Sequence, residues 1–315
     1  MTEVVIGIDI GGTNTEIGIV TGSGECLVKS SMRTDAYFDA KLFVEEIARN
    51  INEMLSNYPG SNFSGIGIGA PNGNFFKGTI EYAPNLKWRG VVHLVEMMKN
   101  HFKVPILLTN DANAAAMGEM IYGGAKNMKN FVLITLGTGL GSGFVVNGEL
   151  LYGHDGFAGE FGHINAFPNG RLCGCGRLGC LETYCSASGI TKTVIELLGN
   201  TEESSVLRNL RADEISSKLI YEAALKGDTI ALKAFDFTCR VLGTKLADIV
   251  AITSPEAIFL FGGLAGAKEF IFSLTKKYME ESLLSIFKNK VKILPSVLPQ
   301  NNAAILGAAA LIKNM

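Results

Sequence analysis

The sequence predicts a duplicated α/β fold of two lobes. The chain has 315 residues, more than the roughly 100–200 of one globular unit. Its opening third alternates strand patterns with helical ones. A strand–glycine turn–strand unit then occurs twice, around Gly11, Gly12 and Thr13 and, about 125 residues later, around Gly137, Thr138 and Gly139. Each half is expected to present one turn to a shared cleft, the usual place for a ligand.

Residues 3–10 alternate apolar and small side chains as a strand does, the first glycine turn interrupts them, and 16–20 and 27–33 supply two further strands. Apolar residues at helical spacing over 41–58 (Leu42, Ile47, Ile51, Met54, Leu55) stop at Pro59 and Gly60. A strand at 65–70, a polar loop to Trp88, a helix over 91–102, a strand at 104–109 and an Ala-rich helix from Asp111 complete the first round. The second round has strands at 131–136 and 141–146, a loop-rich stretch at 153–180 and helical patterns over 186–254. A buried strand at 257–261 ends in Gly262 and Gly263, and helices flank a last strand at 291–294. Pro299, Gln300, Asn301 and Asn302 open the final helix. The expected lobes are a smaller one, 1–117, completed by 301–315, and a larger one, 118–300, with the cysteine-containing loop.

A net charge of −2 with 18% charged residues leaves no basic surplus for nucleic acid or a membrane surface. The apolar runs are far below the roughly 20 residues needed to span a bilayer, and the amino terminus enters a strand pattern without an export signal. These features predict a cytoplasmic protein, where six cysteines do not imply a disulfide framework.

Four motifs carry chemistry. Asp9, Gly11, Gly12, Thr13 and Asn14 set a strand-end carboxylate beside a glycine turn, which suits phosphate oxygens and a Mg²⁺ ion, although a hairpin glycine equally well supplies positive φ. The denser run from Gly137 to Gly143, with Thr138, Gly139, Gly141 and Ser142, reads as a second phosphate cradle or as a tight turn. Gly262 and Gly263 admit a flat ring or ribose, or serve helix packing. Asn110 and Asp111 stand where a strand meets a helix. There Asp111 is either an N-cap or a general base kept ionised by the helix end.

The strongest local pattern is His163, Cys173, Cys175 and Cys180, spaced His-x9-Cys-x-Cys-x4-Cys. One imidazole and three thiolates make a closed tetrahedral set for structural Zn²⁺, with no open position for catalysis. Exposed free thiols in a loop would otherwise be an oxidation liability.

The segments together resemble the ROK family (repressors, open reading frames and kinases), which has the actin-like ATPase fold. The resemblance rests above all on Gly159, Glu160, Phe161, Gly162 and His163 and on the run from Cys173 through Gly174, Cys175, Gly176, Arg177, Leu178, Gly179 and Cys180 to Leu181 and Glu182. It implies an ATP-dependent hexose kinase using Mg-ATP and structural Zn²⁺. Asp111 would be the base, Asn85, Asn110, Glu160, His163 and Glu182 the sugar contacts, and Asp9 to Asn14, Gly137 to Gly139, Gly262 and Gly263 the nucleotide contacts. Glucose is the expected sugar, with N-acetylmannosamine, N-acetylglucosamine, fructose and allose as alternatives and a non-catalytic sugar sensor as the remote one. Family members that repress transcription carry an amino-terminal helix-turn-helix, whereas this chain opens in a strand. A homodimer or homotetramer is expected by the same resemblance. The segment Gly69, Ala70, Pro71, Asn72, Gly73 departs from the family pattern in having Asn72 where glycine is usual.

Overall fold

The computed structural model describes residues 2–299 and 301–314. Its first sheet is built from β1 (Glu3–Ile10), β2 (Asn14–Thr21), β3 (Cys26–Arg33), β4 (Asn62–Ala70) and β8 (Ile106–Asn110) in the order β3-β2-β1-β4-β8. β1, β2 and β3 form an antiparallel meander, and β4 and β8 add in parallel on the other side of β1. β1 is apolar on both faces because both are covered. Ile6 and Ile8 pack with Phe43, Ile47 and Ile51 of α1 (Ala40–Ser56), while Val5 faces Ile305 and Ala309 of the last helix, α9 (Ala303–Lys313). That helix lies so close that a Cβ at Gly67 would come within 1.8 Å of Ala308 O, so only glycine is tolerated there.

The second sheet repeats this plan. β9 (Phe131–Leu136), β10 (Leu140–Val146), β11 (Glu149–Leu150), β12 (Ala257–Phe261) and β13 (Lys292–Pro295) run in the order β11-β10-β9-β12-β13. The pairings are antiparallel, antiparallel, parallel and parallel, as in the first sheet. Val132, Ile134 and Leu136 pack on α7 (Thr229–Thr253), and Phe131 and Leu133 pack on α3 (Asp111–Ile121). The remaining helices of this half are α4 (Glu182–Cys185), α5 (Ala187–Asn200), α6 (Ser217–Leu225) and α8 (Glu269–Ser282).

α3 and α9 exchange places. α3 leaves the last strand of the first sheet but lies on β9 and β10, and α9 follows the last strand of the second sheet but lies on β1 and β4. The two helices cross at Gly118 and Gly307, where a Cβ on Gly307 would stand 2.6 Å from Ala114 O.

Two sequence expectations need correction. The polar loop before Trp88 holds two strands of a small sheet, β5 (Gly73–Asn74) and β6 (Thr79–Glu81), which β7 (Val91–Val92) completes. β7 takes the start of the helix expected over 91–102, which shortens to α2 (Leu94–Lys99) because strand pairing overrides the local pattern. Gln300, one of the four residues expected to open α9, lies outside the described residues. Among the described residues no helix is long and apolar enough to cross a membrane.

Candidate functional site

Both β-hairpin turns carry backbone N–H groups that have no partner among the described residues. In the first, Gly11 N–H is spent on Asn14 O at 2.9 Å, but among the described residues nothing accepts from the N–H groups of Gly12 and Thr13. In the second, the N–H groups of Gly137, Thr138 and Gly139 are likewise unpartnered, whereas Leu140 N–H donates to Glu182 Oε2 at 3.0 Å. Clustered free N–H groups at a turn form a concavity suited to an anion. Gly12 is pressed against the Asn85 backbone, where a Cβ would meet Asn85 O at 2.8 Å, so the first turn and a predicted sugar contact share one wall.

Asp9 is the penultimate residue of β1 and Asp111 begins α3, one strand apart across Gly69 of β4. A Cβ on Gly69 would lie 3.6 Å from Asp111 Cα and 3.8 Å from Asp9 Oδ1, so this glycine keeps the space between the two acids open. Burial, then the charges of Asp111 and Glu16, push Asp9 up to about 7. Asp111 is reached by solvent although protein surrounds it, as at a cleft floor, and that desolvation raises its carboxyl against the pull of the Ala112 N–H. Asp111 is not the N-cap. Asn110 fills that position, its Oδ1 accepting from Asn113 N at 3.0 Å, which leaves the Asp111 carboxylate free of that duty.

The denser glycine run divides by function. Gly141 and Gly143 are packing residues, since a Cβ on Gly143 would come within 2.6 Å of Ala116 Cβ and 2.8 Å of Ala112 O in α3. Ser142 is buried and bonds to Gly159 O, anchoring the segment that leads to Glu160. Only Gly137, Thr138 and Gly139 are left for a ligand, and Thr138 O and Gly137 O are fixed by Ser188 Oγ and Ala187 N. Gly262, at φ +100°, abuts the Leu136 backbone, where a Cβ would meet Leu136 O at 2.8 Å. The second glycine pair thereby sits beside the second turn, with the would-be Cβ of Gly263 in open space.

His163, Cys173, Cys175 and Cys180 converge, with one ligand atom from each lying within 4.8 Å of all the others. Cys175 Sγ and Cys180 Sγ are 3.6 Å apart, and Cys173 Sγ is 3.7 Å from His163 Nδ1. Zn–S bonds of about 2.3 Å in a tetrahedron place sulfurs about 3.8 Å apart, so the donor set fits the ion. Burial pushes the Cys173 and Cys180 thiols up, while at Cys175 burial is outweighed by the Arg177 N–H and the neighbouring thiols, which bring it down. With Nδ1 turned to the sulfurs, His163 points Nε2 to Glu160 Oε2 at 4.0 Å. Burial raises the Glu160 carboxyl, opposed by His163 and reinforced by Asp111 and Glu182. Glu160, His163, Glu182 and Asp111 therefore share one electrostatic neighbourhood.

Trp88 is a packing anchor, 4.7 Å from the Phe43 ring with Nε1–H donating to Tyr37 O. Asn72 adopts φ +51°, a left-handed conformation that glycine takes most readily and asparagine tolerates, and its Nδ2 donates to Glu81 O. The departure in sequence thus preserves the turn. Sequence reasoning missed a brace between the halves, in which Asn74 Nδ2 donates to Asp155 O at 2.8 Å and Phe75 stacks on Tyr152 at 4.2 Å. Neither side has a spacing that would reveal the other.

Two sheets of one strand order, a glycine turn at the same place in each and a helix exchange define a two-lobed α/β protein of the actin-like ATPase fold. The sequence pattern of the ROK family matches residues 5–315, and the chain belongs to that family. It is 34% identical to a glucokinase of Halalkalibacterium halodurans over 98% of this chain and 94% of that protein. The crystal structure of a ROK family glucokinase from Streptomyces griseus with glucose and AMPPNP superposes with a TM-score of 0.82 at 32% identity, covering 99% and 100% of the two chains. A ROK family transcriptional regulator, a homologue of the Escherichia coli MLC protein, superposes with a TM-score of 0.89 at 27% identity, and the match covers 78% of it.

Proposed function

We propose that this protein is an ATP-dependent hexose kinase that converts glucose to glucose 6-phosphate. The observation that carries the reading is the Asp111 carboxylate, free of capping duty and facing the cleft across Gly69 from Asp9 and the first glycine turn. The likeness to glucokinases over the whole chain supports it. In this reading the free N–H groups of Gly12, Thr13, Gly137, Thr138 and Gly139 hold the phosphates of ATP, and the face beside Gly262 and Gly263 receives the adenosine. Asn85, Asn110, Glu160, His163 and Glu182 orient the sugar.

The sugar hydroxyl oxygen forms a bond to the γ-phosphorus, the bond to the ADP oxygen breaks, and Asp111 takes the hydroxyl proton. A carboxyl raised by burial is a stronger base once ionised than an ordinary aspartate, which suits this step. Asp9, with Glu16 near enough to raise its carboxyl, would hold a Mg²⁺ ion or its waters, and that ion would neutralise phosphate charge. Zn²⁺ at His163, Cys173, Cys175 and Cys180 would be structural, turning His163 Nε2 toward the sugar. We place the protein in the cytoplasm, where thiols are kept reduced, and family precedent suggests a homodimer or homotetramer. We divide the lobes as 1–117 with 301–315, and 118–300.

ADP release with Mg-ATP, measured across glucose, fructose, mannose, allose and the two N-acetylhexosamines, should give the highest kcat/KM for glucose. Preference for another sugar would rename the substrate. No turnover on any of them would overturn the kinase reading in favour of a sensor. Metal analysis of the same preparation should find about one zinc per chain, and an active, stable protein without metal would refute the structural site.

A further inference from the structure

The loop that carries the cysteine cluster is held by a second device that uses no metal. Arg171 lies two residues before Cys173, yet its side chain is only 11% exposed. Nε and Nη2 grip the Glu196 carboxylate of α5 at 2.8 and 2.5 Å as a two-pronged fork. Nη1 donates to Thr183 O at 2.7 Å and Gly189 O at 3.2 Å, and Nη2 also donates to Thr193 Oγ1 at 2.9 Å. The guanidinium lies 4.5 Å over the Tyr184 ring. The Arg171 backbone N–H donates to Tyr184 OH at 2.8 Å, and Gly170 leaves room for that hydroxyl, since a Cβ there would stand 2.1 Å from it. Charged fork, carbonyl contacts and ring stacking converge on one side chain, which is more than a surface ion pair needs.

The groups it grips matter for the cleft. Thr183 and Tyr184 belong to α4, whose first residue is Glu182. Glu182 in turn reaches the second glycine turn through Leu140 N–H and stands 3.5 Å from Cys173 Sγ. We propose that Arg171 is a positioning residue for the sugar side of the cleft, locking α4 to the cysteine loop from behind and so holding Glu182 between the metal cluster and the second turn. Zinc fixes the tip of the loop and Arg171 fixes its root. The kinetic part of this proposal rests on the sugar-kinase reading, but the anchoring part does not.

The test compares zinc-loaded wild type with Arg171→Met, which retains the apolar stem, Arg171→Lys and Glu196→Gln. Hydrogen exchange of residues 181–185, which needs no substrate, should speed up in Arg171→Met at unchanged zinc content. KM for the sugar should rise about tenfold while that for the nucleotide changes less than about threefold. Lysine should restore little, because an ammonium cannot serve the fork and both carbonyls, and Glu196→Gln should show a smaller effect in the same direction. Unchanged exchange at 181–185, equal KM changes for both substrates, or loss of zinc in step with activity would each overturn the proposal. Faster exchange in a protein whose wild type phosphorylates no sugar would support the anchor while refuting the kinase reading.

Discussion

The two halves share a strand order and a turn, but they finish that turn differently. The first half places a carboxylate, Asp9, at the end of the strand entering the turn, and seals the turn with the backbone of Asn85. The second half has Thr135 at the corresponding position, two residues before its turn, and closes that turn with a side chain, Glu182, that arrives from the cysteine loop. Its third strand is also reduced, two residues in β11 against eight in β3. Duplication thus supplied two turns with free backbone N–H groups, and the halves then diverged. Acidic side chains gather at the first, while the second is coupled to the loop that carries the Cys/His cluster.

If that division holds, the largest effect comes from the first half. Asp111→Asn should lower kcat by roughly 10²–10⁴-fold with sugar affinity retained, read by fluorescence of the single tryptophan, Trp88, three residues beyond Asn85. Near-normal turnover would break the assignment of the base. Next come the turns themselves. Gly12→Ala meets backbone at 2.8 Å and should destabilise the protein and abolish activity, whereas Gly139→Ala meets Glu182 Oε2, which can swing away at the cost of one hydrogen bond. That bond is worth about 1 kcal/mol, so Gly139→Ala should fold and lose activity chiefly through weaker substrate binding. Equal damage from both substitutions would erase the contrast between a backbone seal and a side-chain seal.

The smallest effect is on stability. Asp9 is raised from its ordinary value to about 7, so without Mg²⁺ the folded chain holds a proton that the unfolded chain has lost between about pH 4 and 7. Stability from this group is full below that window and declines as pH rises through it. Asp9→Asn should therefore melt at a higher temperature than wild type at pH 8 and at the same temperature near pH 4. A wild-type advantage at pH 8 would show that Asp9 is not strained by its acidic neighbours.

Both turns, nine of the strands and the helices α1, α3, α8 and α9 were legible in the sequence because each is written locally, in alternation, periodicity and glycine punctuation. The cysteine cluster was legible because its ligands lie within eighteen residues of one another. What escaped depends on partners distant in the chain. β5 and β6 are too short to carry a pattern, and β6 needs β7 beside it. The Asn74–Asp155 bond joins residues 81 apart. Gly141 and Gly143 read as ligand glycines until α3 is seen against them. Arg171 has no motif, only neighbours brought together by α4 and α5.

The exchange of α3 and α9 sets the order in which the molecule can be completed during synthesis. The amino-terminal sheet has β1 to β4 and β8 available early, but the face of β1 that needs Ile305 and Ala309 stays bare until residues 303–313 have left the ribosome. Nearly 200 residues separate β8 from that helix, and contacts of such long range form slowly. The first half to be translated is thus the last to be sealed, and an exposed apolar sheet awaiting its cover is the stage at which this chain would depend most on chaperones.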